Sequence, residues 1–124
     1  MRVKDAVGRF GEELAYRFVV EVLGATVLDT NWRCPSGELD IVALDGDDLV
    51  FVEVKTRSTL AFGDPAEAVH PAKAARIRRL AMLWLAIWRA KHPDEPWHQL
   101  RFDVICVVRL AEGGPAVRHV RGAF

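Results

Sequence analysis

Asp40, Glu53 and Lys55 lie in two short apolar segments, Glu38 to Leu44 and Leu49 to Lys55, joined by Asp45, Gly46, Asp47 and Asp48. Apolar runs on either side of such a turn read as a β-hairpin. With the turn centred on Gly46 and Asp47, Leu44 faces Leu49, Val42 faces Phe51, Asp40 faces Glu53 and Glu38 faces Lys55, all on one side. The other side pairs Ala43 with Val50, Ile41 with Val52 and Leu39 with Val54, a wholly apolar surface that something must cover. Facing cross-strand side chains approach to about 4.5 to 5.5 Å, so two facing acids repel and a positive charge belongs between them. A shared proton, Lys55 with a second cation, or a divalent metal would each supply relief. Magnesium takes one or two protein carboxylates and keeps several waters, so Asp40, Glu53 and the carbonyl of Val54 suffice for Mg2+ or Mn2+, with Glu12 as an outer or second ligand. Lys55, on the same face as Glu53, would act on an attacking water and stabilise charge developing on a phosphoryl oxygen. An exposed hairpin carrying an ordinary ion pair is the plainer alternative, but it leaves the facing acids and Glu12 unexplained.

Other charged residues fall around this group. Glu38 is either a simple partner of Lys55 or an auxiliary site residue. Lys73 sits at the end of an apolar helical seam that points toward the sheet, where it would contact phosphate, unless it is simply solvated at the helix start. Arg33 and Arg57 flank the site in sequence and would touch a nucleic-acid backbone, unless they are ordinary surface arginines. Trp84 and Trp88, at helical spacing, read as core or as an oligomer contact rather than as base-stacking groups. His70, His92, His98 and His119 share no motif and receive no catalytic role. Cys34 and Cys106 lack CxxC spacing and read as two reduced thiols of a cytoplasmic chain, not as a zinc site.

These residues need elements to position them. A first helix is expected over Val7 to Leu23, closed by Gly24, with Glu13, Arg17 and Glu21 on a polar stripe. Glu12 shares the apolar arc of that helix with Ala15 and Val19, so its carboxylate is aimed at the core or its edge. A short strand over Val27 to Trp32 and a loop over Cys34 to Gly37 precede the hairpin. After a loop from Thr56 to His70, Pro71 opens a second helix to about Lys91, with Ile77, Leu80, Ala81, Trp84, Ile87 and Trp88 as its seam. A buried strand from Leu100 to Leu110 and a last strand from Ala116 to Val120 complete an α/β fold, a mixed β-sheet flanked by helices in the order α-β-β-β-α-β plus that last strand.

The chain of 124 residues, 51% hydrophobic and 27% charged, has the balance of one water-soluble domain spanning 1–124. Its formal net charge is zero, so composition gives no reason to expect nucleic acid or membrane binding. The distribution is more telling. Asp29 to Glu53 holds seven acids against Arg33 alone, whereas Pro71 to Lys91 holds six cations and no acid. An acidic centre beside a basic helix suits a metal and a polyanion together, although a solvated helix face is the commoner meaning of such a run. Met1 to Arg9 has no apolar core of signal-peptide length, and Leu80 to Trp88 is too short to span a bilayer, so a cytoplasmic protein with no membrane partner is expected.

The segments Gly8-Arg9-Phe10-Gly11-Glu12-Glu13, Asn31-Trp32-Arg33, Gly37-Glu38-Leu39-Asp40-Ile41-Val42 and Phe51-Val52-Glu53-Val54-Lys55-Thr56-Arg57 resemble those of the YraN-like proteins. The likeness extends through Phe62-Gly63, Lys73 and Arg101-Phe102-Asp103-Val104, nearly the whole chain. That group is assigned to the PD-(D/E)xK superfamily of restriction-endonuclease-like nucleases and is similar to archaeal Holliday junction resolvases. The resemblance implies a restriction-endonuclease-like core in which Asp40 and Glu53 hold the metal, Lys55 acts at the attacking water, and Glu12 comes from the first helix. Leu39 stands where the superfamily's name has Pro, a departure that leaves the Asp40 carboxylate available. The function expected is a Mg2+- or Mn2+-dependent endonuclease acting on DNA, in particular branched DNA, and a two-sided junction cutter would work as a homodimer. The alternatives are a catalytically silent nucleic-acid-binding accessory protein with the same fold, or an interaction subunit that docks through the Trp84 and Trp88 helix.

Overall fold

The computed structural model describes residues 3–57, 69–94, 96–109 and 113–124, with side chains from residue 7 onward. Most of the loop expected between Thr56 and His70, Phe62-Gly63 within it, and Leu110 lie outside the described residues. Helix α1 spans Val3–Arg17 and continues into a π-helical turn, Phe18–Val22. Five strands form one sheet, β1 (Thr26–Cys34), β2 (Gly37–Asp45), β3 (Asp48–Arg57), β4 (Gln99–Arg109) and β5 (Pro115–Val120), and helix α2 (Pro71–Lys91) separates β3 from β4. Strand order in space follows chain order, so β3 is central. It pairs antiparallel with β2 and parallel with β4, and the other neighbours are antiparallel. This is the mixed sheet flanked by helices that the sequence pattern implies, in an order consistent with the restriction-endonuclease-like arrangement.

The hairpin register agrees with the reading from the turn. Leu44 pairs with Leu49, Val42 with Phe51, Ala43 with Val50 and Ile41 with Val52, while Gly46 takes the positive φ of 60° that the tight turn demands. The two faces of the sheet are then covered separately. Val42, Leu49 and Phe51 pack with Ile77, Leu80 and Trp84 of α2, while Ile41, Ala43, Val50 and Val52 pack with Ala15 and Val19 on the α1 side. Leu39 departs from the expected alternation. It belongs to the α2-side cluster together with Trp32, although it lies two residues from Ile41 on the α1 side. Its neighbour strand explains this: between the pairs Thr30–Ile41 and Trp32–Leu39, Asn31 adopts φ 50°, and a left-handed residue, which Asn tolerates, turns the strand over. Asp40 therefore sits where the sheet changes face.

The helices also differ in detail from the periodicity. The first ends in the π-turn, with the Leu23 amide donating to the Phe18 carbonyl at 3.0 Å and Gly24 at φ 67° closing it. Helical periodicity places Phe10 and Val22 on the apolar arc, but both are exposed; Val22 lies within the wider turn, whereas Phe10 precedes it. In α2 the seam is completed by Leu85 rather than by Ile87, which is half exposed. Pro71 does open α2, and His70 caps it by accepting the Ala72 amide on Nδ1 at 3.1 Å.

Candidate functional site

Glu53 and Lys55 project from the middle of the central strand, where pairing with β4 from Asp48 to Arg57 leaves the backbone no freedom to move. The ladder between β2 and β3 reaches only Ile41–Val52. Beyond it the Val54 amide donates to the Asp40 carboxylate, Oδ2, at 2.8 Å. The side chain of Asp40 thus takes over a strand-to-strand bond and is pinned beside Glu53. Glu53 is buried, and its Oε1 receives Lys73 Nζ at 2.7 Å and Lys55 Nζ at 3.5 Å. Lys73 reaches it from the first turn of α2, the position set by Pro71 and the His70 cap.

The electrostatics follow from this crowding. Burial, reinforced by the charge of Glu53, pushes the Asp40 carboxyl up to about 7 in spite of the Val54 hydrogen bond. Burial also raises Glu12, helped by Glu38 and Glu53 and opposed by Arg33. Burial lowers the Lys55 ammonium, aided by the hydrogen-bonded Lys73 and resisted by Glu53. For Lys73 burial acts downward too, but the bond to Glu53 and the contact with Lys55 outweigh it and leave the ammonium above its ordinary value. The two lysines are therefore tuned in opposite directions around one carboxylate.

Two hollows meet at Asp40. One, of about 240 Å³, is bordered by Asp40, Glu53, Lys73 and Arg76; the other, of about 720 Å³, lies between α1 and β1 and is bordered by Glu12, Tyr16, Asn31 and Asp40. Glu12 is brought to this position by a close approach of α1 to β3. A methyl group at Gly11 would meet Thr56 Oγ1 at 1.8 Å, so only glycine lets the helix lie this near the strand.

The structure gathers Asp40, Glu53, Val54, Lys55, Glu12 and Lys73, and Glu38 borders the smaller hollow beside Asp40 and Glu53. Glu38 pairs with Arg33, Nε to Oε2 at 3.1 Å, rather than with Lys55, because the two residues face each other in the β1–β2 register. Both are solvent-exposed, so this bridge is worth little, but the charge of Glu38 adds to the upward push on Asp40 and Glu12. Arg57 ends β3, two residues beyond Lys55. Sequence reasoning reads Lys73 as a phosphate contact or a solvated cation and misses that it holds Glu53; its place at the first turn of a seam aimed at the sheet is the available signal. Cys34 and Cys106 are free thiols, as expected.

Among the described residues, no three His, Cys, Asp or Glu side chains form a ready metal cage. The donor set still fits Mg2+ or Mn2+. Two adjacent carboxylates, one of them pushed up to about 7 by burial and by the charge of the other, are hard oxygen ligands short of positive charge, and a hard divalent ion needs no more from the protein than these and a backbone carbonyl.

Fold and site together define a small α/β domain that collects two carboxylates and two lysines at the centre of a mixed sheet. The chain belongs to the uncharacterised protein family UPF0102, whose family model matches residues 11–107. It is 58% identical over 124 residues to a UPF0102 protein of Frankia alni, covering 100% of this chain and 98% of the relative. It is 56% identical to one of Frankia casuarinae over 124 residues, 100% of both chains, and 54% identical to one of Beutenbergia cavernae over 122 residues, 98% of both. Among the described residues no helix is long and apolar enough to cross a membrane.

Proposed function

We propose that this protein is a metal-dependent nuclease of the PD-(D/E)xK type that hydrolyses DNA phosphodiester bonds, with branched DNA as the substrate to test first. The observation that carries the reading is the convergence of Asp40 and Glu53, one pinned by the Val54 amide and the other held by Lys73 and Lys55. Asp40, Glu53 and the Val54 carbonyl would hold Mg2+ or Mn2+, with Glu12 as an outer ligand. When bound, the ion supplies charge stabilisation at a phosphoryl oxygen and a more acidic water. The protein's own part is positional. Val54 fixes the Asp40 carboxylate, and Lys73 keeps its charge and orients Glu53. Lys55, desolvated and below its ordinary value, exchanges a proton with the attacking water at Nζ and then faces the negative charge that develops on phosphorus oxygens.

The test pairs binding with turnover. Calorimetric titration with Mn2+ and incubation with four-way junctions, flaps, single strands and duplexes should show ion binding and cleavage in the unaltered protein. Asp40→Asn and Glu53→Gln should each lose both. Cleavage that persists in either variant would remove these residues from the chemistry, and band shifts without cuts in every DNA would favour the accessory-protein alternative.

A further inference from the structure

Two of the cations that the sequence aims at a nucleic-acid backbone are engaged within the chain, Lys73 with Glu53 and Arg33 with Glu38. The cations left open at the carboxylate hollow and in the groove beside it are different ones. Arg76 and Arg79 of α2 are exposed, and among the described residues neither has a hydrogen-bond or ion-pair partner. Arg78 between them turns the other way, its guanidinium 4.5 Å from the centroid of the Phe102 ring and 5.9 Å from that of Phe124.

Arg76 borders two hollows at once. It lines the one that holds Asp40 and Glu53, and it also lines a neighbouring groove of about 470 Å³ that passes Ser36, Arg79 and Leu83. Residues three apart on a helix stand about 5–6 Å apart at Cβ, so the two guanidiniums form one continuous positive edge leading away from the carboxylates. The need for such an edge is physical. The chain has no net charge to attract a polyanion, and the acids at the site repel phosphate. Attraction must come from cations placed beside the site, on a helix that carries no acid to neutralise them.

We propose that Arg76 and Arg79 form the phosphate-binding track of this protein, holding the DNA backbone where it leaves the carboxylate hollow and directing it along the Ser36 and Leu83 groove. This rests on the nuclease reading for the substrate. The contacts are to phosphate, so they set affinity and register rather than sequence preference.

The test measures binding separately from cutting. Fluorescence anisotropy with a labelled four-way junction, in Ca2+ and over a range of salt concentrations, compares the unaltered protein with Arg76→Gln/Arg79→Gln. Lys91→Gln serves as control, since it removes charge from the same helix about 22 Å further along. The double variant should bind roughly tenfold or more weakly, and the slope of log affinity against log salt should fall by about 2, one for each lost phosphate contact. Lys91→Gln should leave the slope in place. Melting temperatures should match throughout, because the altered arginines are exposed and unpaired. An unchanged slope in the double variant, or an equal drop in Lys91→Gln, overturns the track. Cleavage of the same junction in Mn2+ separates the two readings. If the unaltered protein cuts and the double variant binds as tightly as it does, the track alone falls; if the double variant loses binding and nothing is cut in any sample, the track stands and the nuclease reading falls. An unaltered protein that neither binds nor cuts ends both.

Discussion

Asp40 is held in a position that its own charge opposes. Its carboxyl, ordinarily near 3.8, is pushed up to about 7 by burial and by Glu53. A carboxyl whose folded value is raised takes up protons more readily folded than unfolded. Ionising it therefore costs stability, in a penalty that grows from about pH 4 and is complete above about pH 7. With divalent ions chelated, Asp40→Asn should raise the melting temperature at pH 8, and the advantage should vanish below pH 4; thermal unfolding across that range checks the sign. An advantage independent of pH would mean that ionisation of the buried Asp40 is not the cause. Asp40 and Glu53 could be read as facing acids from the sequence because the Gly46 turn fixes the register. That Asp40 would cap the Val54 amide could not, because it depends on a ladder that stops at Ile41–Val52 and on the left-handed Asn31 of another strand. Lys73 shows the same division. Its direction followed from helical spacing, but its partner depended on how far α2 lies from β3.

At the scale of elements, the site depends on how closely α1 approaches the sheet. Gly11 is the contact point, and an added methyl would stand 1.8 Å from Thr56 Oγ1 and 3.1 Å from Thr56 Cβ. Alanine favours a helix by about 1 kcal/mol over glycine, but overpacking of this kind costs roughly 1–3 kcal/mol, so the steric term decides. Gly11→Ala should destabilise the fold and draw Glu12 away from Asp40, and adding Thr56→Ala should recover most of the loss. A denaturation double-mutant cycle measures that coupling, and additive effects would show that the helix tolerates the methyl by other means. Helical periodicity places a helix here, expected from Val7 and observed from Val3, but it does not give the distance of α1 from β3, and it misses the π-turn. In a run such as Phe18-Val19-Val20-Glu21-Val22 the pattern of residue types does not distinguish a π-turn from an α-turn. Pro71, by contrast, marks the start of α2 by its own covalent geometry, and that boundary was legible.

Across the whole molecule, the sheet separates the Asp40 and Glu53 site from a second cluster of charges at the β2–β3 turn. Near the β2–β3 turn Arg101 donates to Asp103 at 2.9 Å, to Asp48 at 2.8 Å and to Asp45 at 2.8 Å, while Asp103 also takes His119 Nε2 at 2.7 Å and the Gly122 amide at 3.0 Å. Four chain segments meet there, which is why the sequence, which carries Arg101 and Asp103 only as a motif, did not reveal the cluster. Asp103 is fully buried, yet its carboxyl behaves opposite to that of Asp40. Burial pushes it up, but the bonds from His119, Arg101 and Gly122 outweigh burial and hold it below its ordinary 3.8. A lowered carboxyl contributes stability that is present above the unfolded value and lost as pH falls through the folded one, so this cluster should fail in acid, where Asp40 becomes more comfortable. Arg101→Met would leave Asp103 buried without its main counter-charge and should cost about 3–5 kcal/mol at pH 7. It touches neither Asp40 nor Glu53, so Mn2+ affinity measured under conditions where the variant remains folded should stay at the unaltered value. Loss of ion binding in folded Arg101→Met would mean that the two ends of the sheet are coupled through β3, and that the strand carries strain from one cluster of acids to the other.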